Sequence, residues 1–238
     1  MKKKLIIANT GGFWGDQPFA AKKLLTENLN IEYLTIDYLA ELSLSIMGIQ
    51  KEKDPNLGYA KDFLDLVESI IPFLHRKGKM KIVTNAGGLN PYACAQECKK
   101  ILKREGLDHL KIGIVVGDDV KDLLLKNEEK DLFKNLDTRE SFSAIKENVI
   151  SANAYLGAKP IAEVLQKGAD IVITGRVADP SLTVGPCLAE FDWDEKEYDK
   201  LAAATIAGHL IECGTQATGG ISTKWLDLPD PTNIGFPL

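Results

Sequence analysis

The residues able to do chemistry fall first into a set of small and polar side chains that each follow a short apolar run. Gly11, Gly12 and Asp16 come after "KLIIAN", Asp37 closes "IEYLTID", and Asn85, Gly87, Gly88 and Asn90 follow "KIVTN". Asp118 and Asp119 come after "KIGIVVG", Asn153 and Tyr155 at the end of "NVISANA", and Arg176 and Asp179 after "DIVIT". If the runs are parallel strands, these residues share the carboxyl edge, where open α/β sheets bind their ligands. Gly12, Asp16, Asn85, Gly87, Gly88, Asn153 and Arg176 are then candidates for substrate contact, and Asp118 for a general acid or base. Arg176 is the one cation of this rim. A guanidinium beside a buried strand end needs an anion, either a ligand carboxylate or phosphate held bidentately or an internal partner among Asp16, Asp118 and Asp179. Asp37 stands where a ribose-binding acid would sit, or else caps "YLAEL"; Asp179, just before Pro180, reads as a helix N-cap.

The second group lies on the apolar helix "AAATIAGHLIECG". His209, Glu212 and Cys213 fall at i, i+3 and i+4, on one face. His209 and Glu212 suit acid–base chemistry. All three residue types bind zinc, but a histidine near a helix C-terminus is already favoured by the helix dipole, and no metal is assigned to them. Gly214 reads as the residue that ends the helix. Beyond it, "TQATGG" offers Thr218 as a further substrate contact. Cys94 and Cys98, also i and i+4, lack a histidine and read as helix packing.

The opening loop, "NTGGFWGD", tests the nucleotide reading. A dinucleotide fingerprint needs G-x-G-x-x-G so that the backbone can approach a pyrophosphate. Here the glycines fall as G-G-x-x-G with Asp16 next, an acid at the anion's end of the helix. The expectation is a tight turn, with Asp16 facing a ligand or capping the following helix. A short-chain-dehydrogenase order (Thr10, Gly11 and Gly15, then "NAG" at 85–87, a serine, then Tyr155 with Lys159) is similar but broken. Gln17 replaces the last glycine, and Pro160 pushes Lys159 out of the helical region, away from a one-turn spacing to Tyr155. No cofactor is assigned.

The elements that must position these residues are legible as alternating apolar runs and amphipathic stretches, the pattern of βαβ units around a parallel sheet. Strands are expected at 4–9, 31–37, 81–85, 111–117, 148–154 and 170–174, and helices at 18–28, 38–47, 59–76, 91–105 and 160–167. The charged stretch 124–140 reads as a solvated helix and loop. The fold expected is α/β in three layers, a predominantly parallel sheet with helices on both faces. Residues 1–238 form one domain, with the sheet in 1–180 and a helical and irregular C-terminal part in 181–238.

Hydrophobic residues at 45% and charged ones at 26% fit a globular protein, and a net charge of −5 argues against nucleic-acid or anionic-membrane partners. The basic start "MKKK" is followed by an apolar run ending at Ala8, too short for a signal sequence or a membrane span. Four cysteines without C-x-x-C spacing read as reduced thiols in a cytoplasmic protein. The proline-rich stretch from Trp225 to Leu238 carries too many apolar side chains to stand free, and is expected to pack on the core, another copy or a partner subunit.

Taken together, "GGFWGD", "DYLAEL", "NAGGLNP", "GDDV", "SANAYLGA", "GADIVITGRVADPSL" and "GHLIECGTQATGG" resemble the N-terminal core of the acyclic terpene utilisation AtuA family, from residue 9 onward. The resemblance implies a part in the breakdown of branched, terpenoid-like acids by way of coenzyme A thioesters, without implying a reaction or a catalytic residue. Family members usually continue past "IGFPL", so a site shared with a further segment would need completion by it or by another chain. The reading that follows is an enzyme acting on an acyl-CoA or carboxylate by hydratase- or lyase-type chemistry. The alternatives are a nicotinamide-dependent dehydrogenase and a non-catalytic scaffold subunit.

Overall fold

A computed structural model describes residues 2–27, 30–76, 80–127, 133–218 and 227. Five strands form one sheet: β1 (Ile7–Asn9), β2 (Tyr33–Ile36), β3 (Lys81–Thr84), β4 (Ile112–Val115) and β5 (Ile171–Thr174). Their order is β1-β2-β3-β5-β4, and every pairing is parallel. The helices are α1 (Ala20–Glu27), α2 (Glu41–Lys53), α3 (Asp62–Leu74), α4 (Pro91–Arg104), α5 (Lys121–Lys126), α6 (Lys159–Gln166), α7 (Ser181–Phe191) and α8 (Tyr198–Cys213).

Two-residue alternation along the strands feeds two cores. Leu34, Ile36, Ile82, Ile171 and Ile173 join α1, α2, α3 and α4 on one face. Tyr33, Val83, Val115 and Val172 join α6 and α7 on the other. Helix α7 packs between α6 and α8, and α8 reaches across to β1. These are the three layers that the sequence pattern predicts.

The order also fixes where a ligand can sit. From β1 to β4 the chain steps one way across the sheet. It then reverses, setting β5 between β3 and β4. The segment leaving β3 enters α4 on one face, and the segment leaving β5 enters α7 on the other. Neighbouring strands that feed opposite faces open a crevice at their carboxyl ends. Asn85–Gly88 and Gly175–Asp179 flank it.

The sixth expected strand does not form. Residues 146–148 make a 3-10 turn, and the rest of 148–154 makes only an isolated bridge, Asn153 to Asp119. Its backbone is used at the carboxyl edge instead: Val120 N–H donates to Ala152 O (2.8 Å), and Ala154 N–H to Asp118 O (2.7 Å). A strand added on β4 would lose these bonds. The second helix starts at Glu41, later than expected, because the chain after β2 must first cross the crevice. Of the stretch 225–238, only residue 227 lies within the described residues. Among the described residues no helix is long and apolar enough to cross a membrane.

The opposite, amino edge is tied by an ionic cluster. Glu190 in α7 accepts the hydroxyl of core residue Tyr33 (2.6 Å) and the ammonium of Lys2 (3.1 Å). Burial alone would raise the Glu190 pKa; Tyr33, Lys2 and Lys81 overcome it and hold the carboxyl below the usual glutamate value. Glu190→Ala strands a hydroxyl on a side chain that is 1% exposed. The expected cost is about 1–3 kcal/mol at pH 7, read from urea unfolding. A depressed carboxylate stabilises above its unfolded pKa and loses that contribution as pH falls through the folded value. The gap between wild type and variant therefore narrows on acidification below about pH 4.3. Equal midpoints at pH 7 would contradict the role assigned to this cluster.

Candidate functional site

The rim residues come together around the crevice between β3 and β5. Gly87 is there because nothing larger fits: a Cβ would lie 2.5 Å from Thr174 O at the end of β5 and 2.8 Å from Pro91 Cα. Gly88 adopts φ +52° under the Met47 sulfur. Asn90 then caps α4 by accepting the Ala93 N–H (3.3 Å), with Pro91 in the first turn. Asn85 is fully buried, with both polar atoms of its amide bonded. Its Nδ2 donates to Asp37 Oδ1 (2.7 Å), and its Oδ1 accepts from Tyr38 N–H (2.8 Å).

Asp37 is no helix cap. The N-cap of α2 is Ala40, and Asp37 Oδ1 accepts from Leu39 N–H (2.9 Å) as well as Asn85. The residue is 1% exposed, and its Oδ2 accepts no hydrogen bond. Burial pushes this carboxyl up to about 7, against the hydrogen bonds that favour its charge and with the help of Asp179 and Glu212.

Arg176 is buried to 3% and meets several groups at once. Its Nη1 donates to Asp179 Oδ1 (2.8 Å) and to Leu39 O (3.1 Å). Its Nη2 lies 3.9 Å from Glu41, and its Nε has no acceptor. The guanidinium sits 4.0 Å from the centre of the Tyr155 ring, and the Tyr155 hydroxyl donates to Glu41. Of the three internal partners considered, Asp179 takes the side chain. Asp118 instead accepts the Arg176 backbone N–H (2.8 Å) and Asn153 Nδ2 (2.8 Å) on one oxygen. Asp179 is thus the anion for Arg176, and α7 starts behind Pro180 without a side-chain cap.

Glu212, in the last turn of α8, completes the group. A carboxylate oxygen of Asp37, of Asp179 and of Glu212 all lie within 4.8 Å of one another. Burial pushes Glu212 up to about 7, aided by the Asp179 charge and opposed by Arg176. Glu212 Oε2 is buried without a hydrogen-bond donor; His209 Nδ1 stands 3.6 Å from it. His209 is mostly exposed, and Cys213 Sγ lies 3.8 Å from its Nε2. Thr218 closes the 3-10 helix Gly214–Thr218 just beyond.

The opening loop meets this group from the other side. Asp16 does not cap α1: its Oδ2 accepts the N–H of Gly12 (2.7 Å) and of Phe13 (3.3 Å). Gly11 accepts the Asp37 N–H (2.9 Å), and a Cβ on Gly12 would lie 2.9 Å from Glu212 O. Tyr155 and Lys159 have separate engagements, Tyr155 with Arg176 and Glu41, Lys159 with Glu195. The structure therefore joins Asn85, Arg176 and Glu212 to Asp37 and Asp179, two rim acids whose caps would have sufficed to explain them. It also brings in Tyr155 and Glu41. Nothing near Glu41 in sequence signals this, because its partners lie more than a hundred residues away.

Gly87→Ala tests how tightly the crevice is set. Its Cβ meets backbone, which cannot step aside, so the variant should lose about 1–3 kcal/mol in urea unfolding. Gly157→Ala, with nothing within 4 Å, is the control and should be near neutral. Equal stability of the two variants would refute the close approach.

Comparison with known proteins bears on the whole chain. Neither curated proteins nor solved structures give a match. A family model, described as "Acyclic terpene utilisation family protein AtuA", matches residues 5–238. That span runs through every block around the crevice, and the chain belongs to the acyclic terpene utilisation AtuA family.

Proposed function

We propose that this protein serves acyclic terpene utilisation as an enzyme of branched-acid breakdown. Its substrate is an acyl-CoA or free carboxylate bound at the crevice between β3 and β5, and its chemistry is the addition or removal of water or a related lyase step. The observation that carries this reading is the grouping at one switch point of a buried guanidinium, three carboxyl groups and an accessible histidine. Family membership supplies the pathway class.

Roles follow from exposure. His209 is the group a substrate can reach, and Glu212 beside Nδ1 orients the ring for proton transfer. In a hydration, His209 accepts a proton from water as the oxygen adds to the β-carbon of an unsaturated acyl group, and the imidazolium returns that proton to the α-carbon. Arg176 is paired with Asp179 and keeps an Nε without an acceptor, the donor it offers to an acid in the crevice. Tyr155, half exposed above it, is the side chain that an incoming ligand meets first. Asn85 and Asn153 act by holding Asp37 and Asp118 in place. A partner subunit or second copy on the C-terminal stretch remains part of the proposal.

Thermal shift with branched acyl-CoA, branched carboxylates and nicotinamide nucleotides tests the substrate class. A true ligand at a hundred times its dissociation constant adds about 2.7 kcal/mol of stability. Stabilisation by acyl-CoA or carboxylate is expected. Stabilisation by nicotinamide nucleotides alone would replace the reading with a dehydrogenase, and silence across the panel with a scaffold. His209→Ala should keep the melting temperature and the binding. It should lower turnover of the bound acyl-CoA, followed by mass spectrometry for gain or loss of water, by about a hundredfold or more. Undiminished turnover would remove His209 from the chemistry.

A further inference from the structure

The carboxyl cluster packs three acids around one guanidinium. Asp37, Asp179 and Glu212 come from the end of β2, the turn before α7 and the last turn of α8, and one oxygen of each lies within 4.8 Å of the others. Arg176 bonds Asp179. Asp37 and Glu212 have no cation within ion-pair distance among the described residues except His209, which stands 3.6 Å from Glu212 and is mostly exposed to solvent.

The hydrogen-bond accounting points the same way. Asp37 is 1% exposed; its Oδ1 accepts twice and its Oδ2 not at all. Glu212 Oε2 is also buried without a donor. A buried carboxylate oxygen without a partner is costly, and native proteins leave few such atoms unless an ion or water completes them. The two residues that carry them, on separate elements, belong to one cluster.

We propose that Asp37, Asp179 and Glu212 bind a hard divalent cation of the Mg²⁺ or Mn²⁺ class. All-oxygen, anionic donors select such ions over softer ones. Adjacent ligands of an octahedral ion at about 2.1 Å stand about 3.0 Å apart and opposite ones about 4.2 Å, so side-chain rotation on binding must close at least two of the three oxygen pairs to about 3.0 Å. A second set, His209, Glu212 and Cys213, shares Glu212 and would suit zinc. It contributes no buried, unpartnered atom beyond the shared Glu212 oxygen, which is why the oxygen set is preferred. The inference rests on the carboxyl-edge reading of the site and adds a Lewis acid to it, next to the histidine proposed to move protons.

The test is Mn²⁺ titration of the whole, chelator-treated chain, followed by loss of the free-ion paramagnetic resonance signal. A single ion should bind per chain. Asp37→Asn and Glu212→Gln should each weaken binding by about tenfold or more, while Glu190→Gln at the amino edge leaves it unchanged. If Asp37→Asn does not fold, Glu212→Gln decides, with its melting transition as the check on folding. No stoichiometric binding by the wild type, or equal binding by folded Glu212→Gln, overturns the proposal. Zn²⁺ bound in preference to Mn²⁺ and lost in Cys213→Ser also overturns it, in favour of the second set. The readout needs no substrate. Mn²⁺ binding without acyl-CoA binding therefore defeats only the functional reading, and the reverse result defeats only the metal.

Discussion

Arg176 is a full charge with 3% exposure, and most of the carboxyl edge follows from making that burial tolerable. An unpaired buried guanidinium is prohibitively costly, so acceptors must converge on it. They come from three directions: Asp179 from its own turn, Leu39 O from the crossing after β2, and the Tyr155 ring from the segment before α6. Each contact recruits a loop. The crossing after β2 is held in turn by Asp37 and Asn85, and the segment before α6 by Asp118 and Asn153. Burying one cation therefore organises segments that carry no regular structure of their own.

The same constraint explains why the neighbouring acids are awkward. Asp37 needs Asn85 and Leu39 to hold one oxygen, and that geometry leaves the other oxygen in a pocket without a donor. A protein selected only for stability would place an amide or an apolar group there, since replacing a buried charge is often neutral or favourable. Keeping a carboxyl beside two others, all at the switch point of the sheet, is a cost that a structural role alone does not repay. Such costs cluster where ligands bind.

How much of this was legible in the sequence depends on the range of the interaction. The strands are continuous apolar runs and their ends mark the rim, so the parallel sheet and the placement of Asn85, Asp118 and Arg176 could be read directly. Segment 148–154 has the β-branched residues of a strand, but its backbone bonds go to Asp118 and Val120, which no local pattern announces. Helix α7 carries Gly185 and Pro186 in its interior, local breakers tolerated because α6 packs closely enough that a Cβ on Gly185 would meet Ile161 at 2.5 Å. Asp37 and Asp179 have ordinary capping neighbours. Their roles come from Asn85, Arg176 and Glu212, and for Asp37 those partners lie tens of residues away or more. Chemistry that is local in space was not local in sequence.

The opening loop shows how one position serves two demands. Its glycines resemble a phosphate cradle, yet the amides that would hold an anion, those of Gly12 and Phe13, are already taken by Asp16. Gly12 is instead small because the last turn of α8 comes down on it, with Glu212 O 2.9 Å from where a Cβ would be. The same turn carries the Glu212 side chain that joins the carboxyl cluster. The loop therefore contributes no positive charge to the site; it packs closely against the last turn of α8. Any anion recruited to this edge must be drawn by Arg176, or by an ion held among the three carboxylates, and the glycines determine how closely those carboxylates can approach.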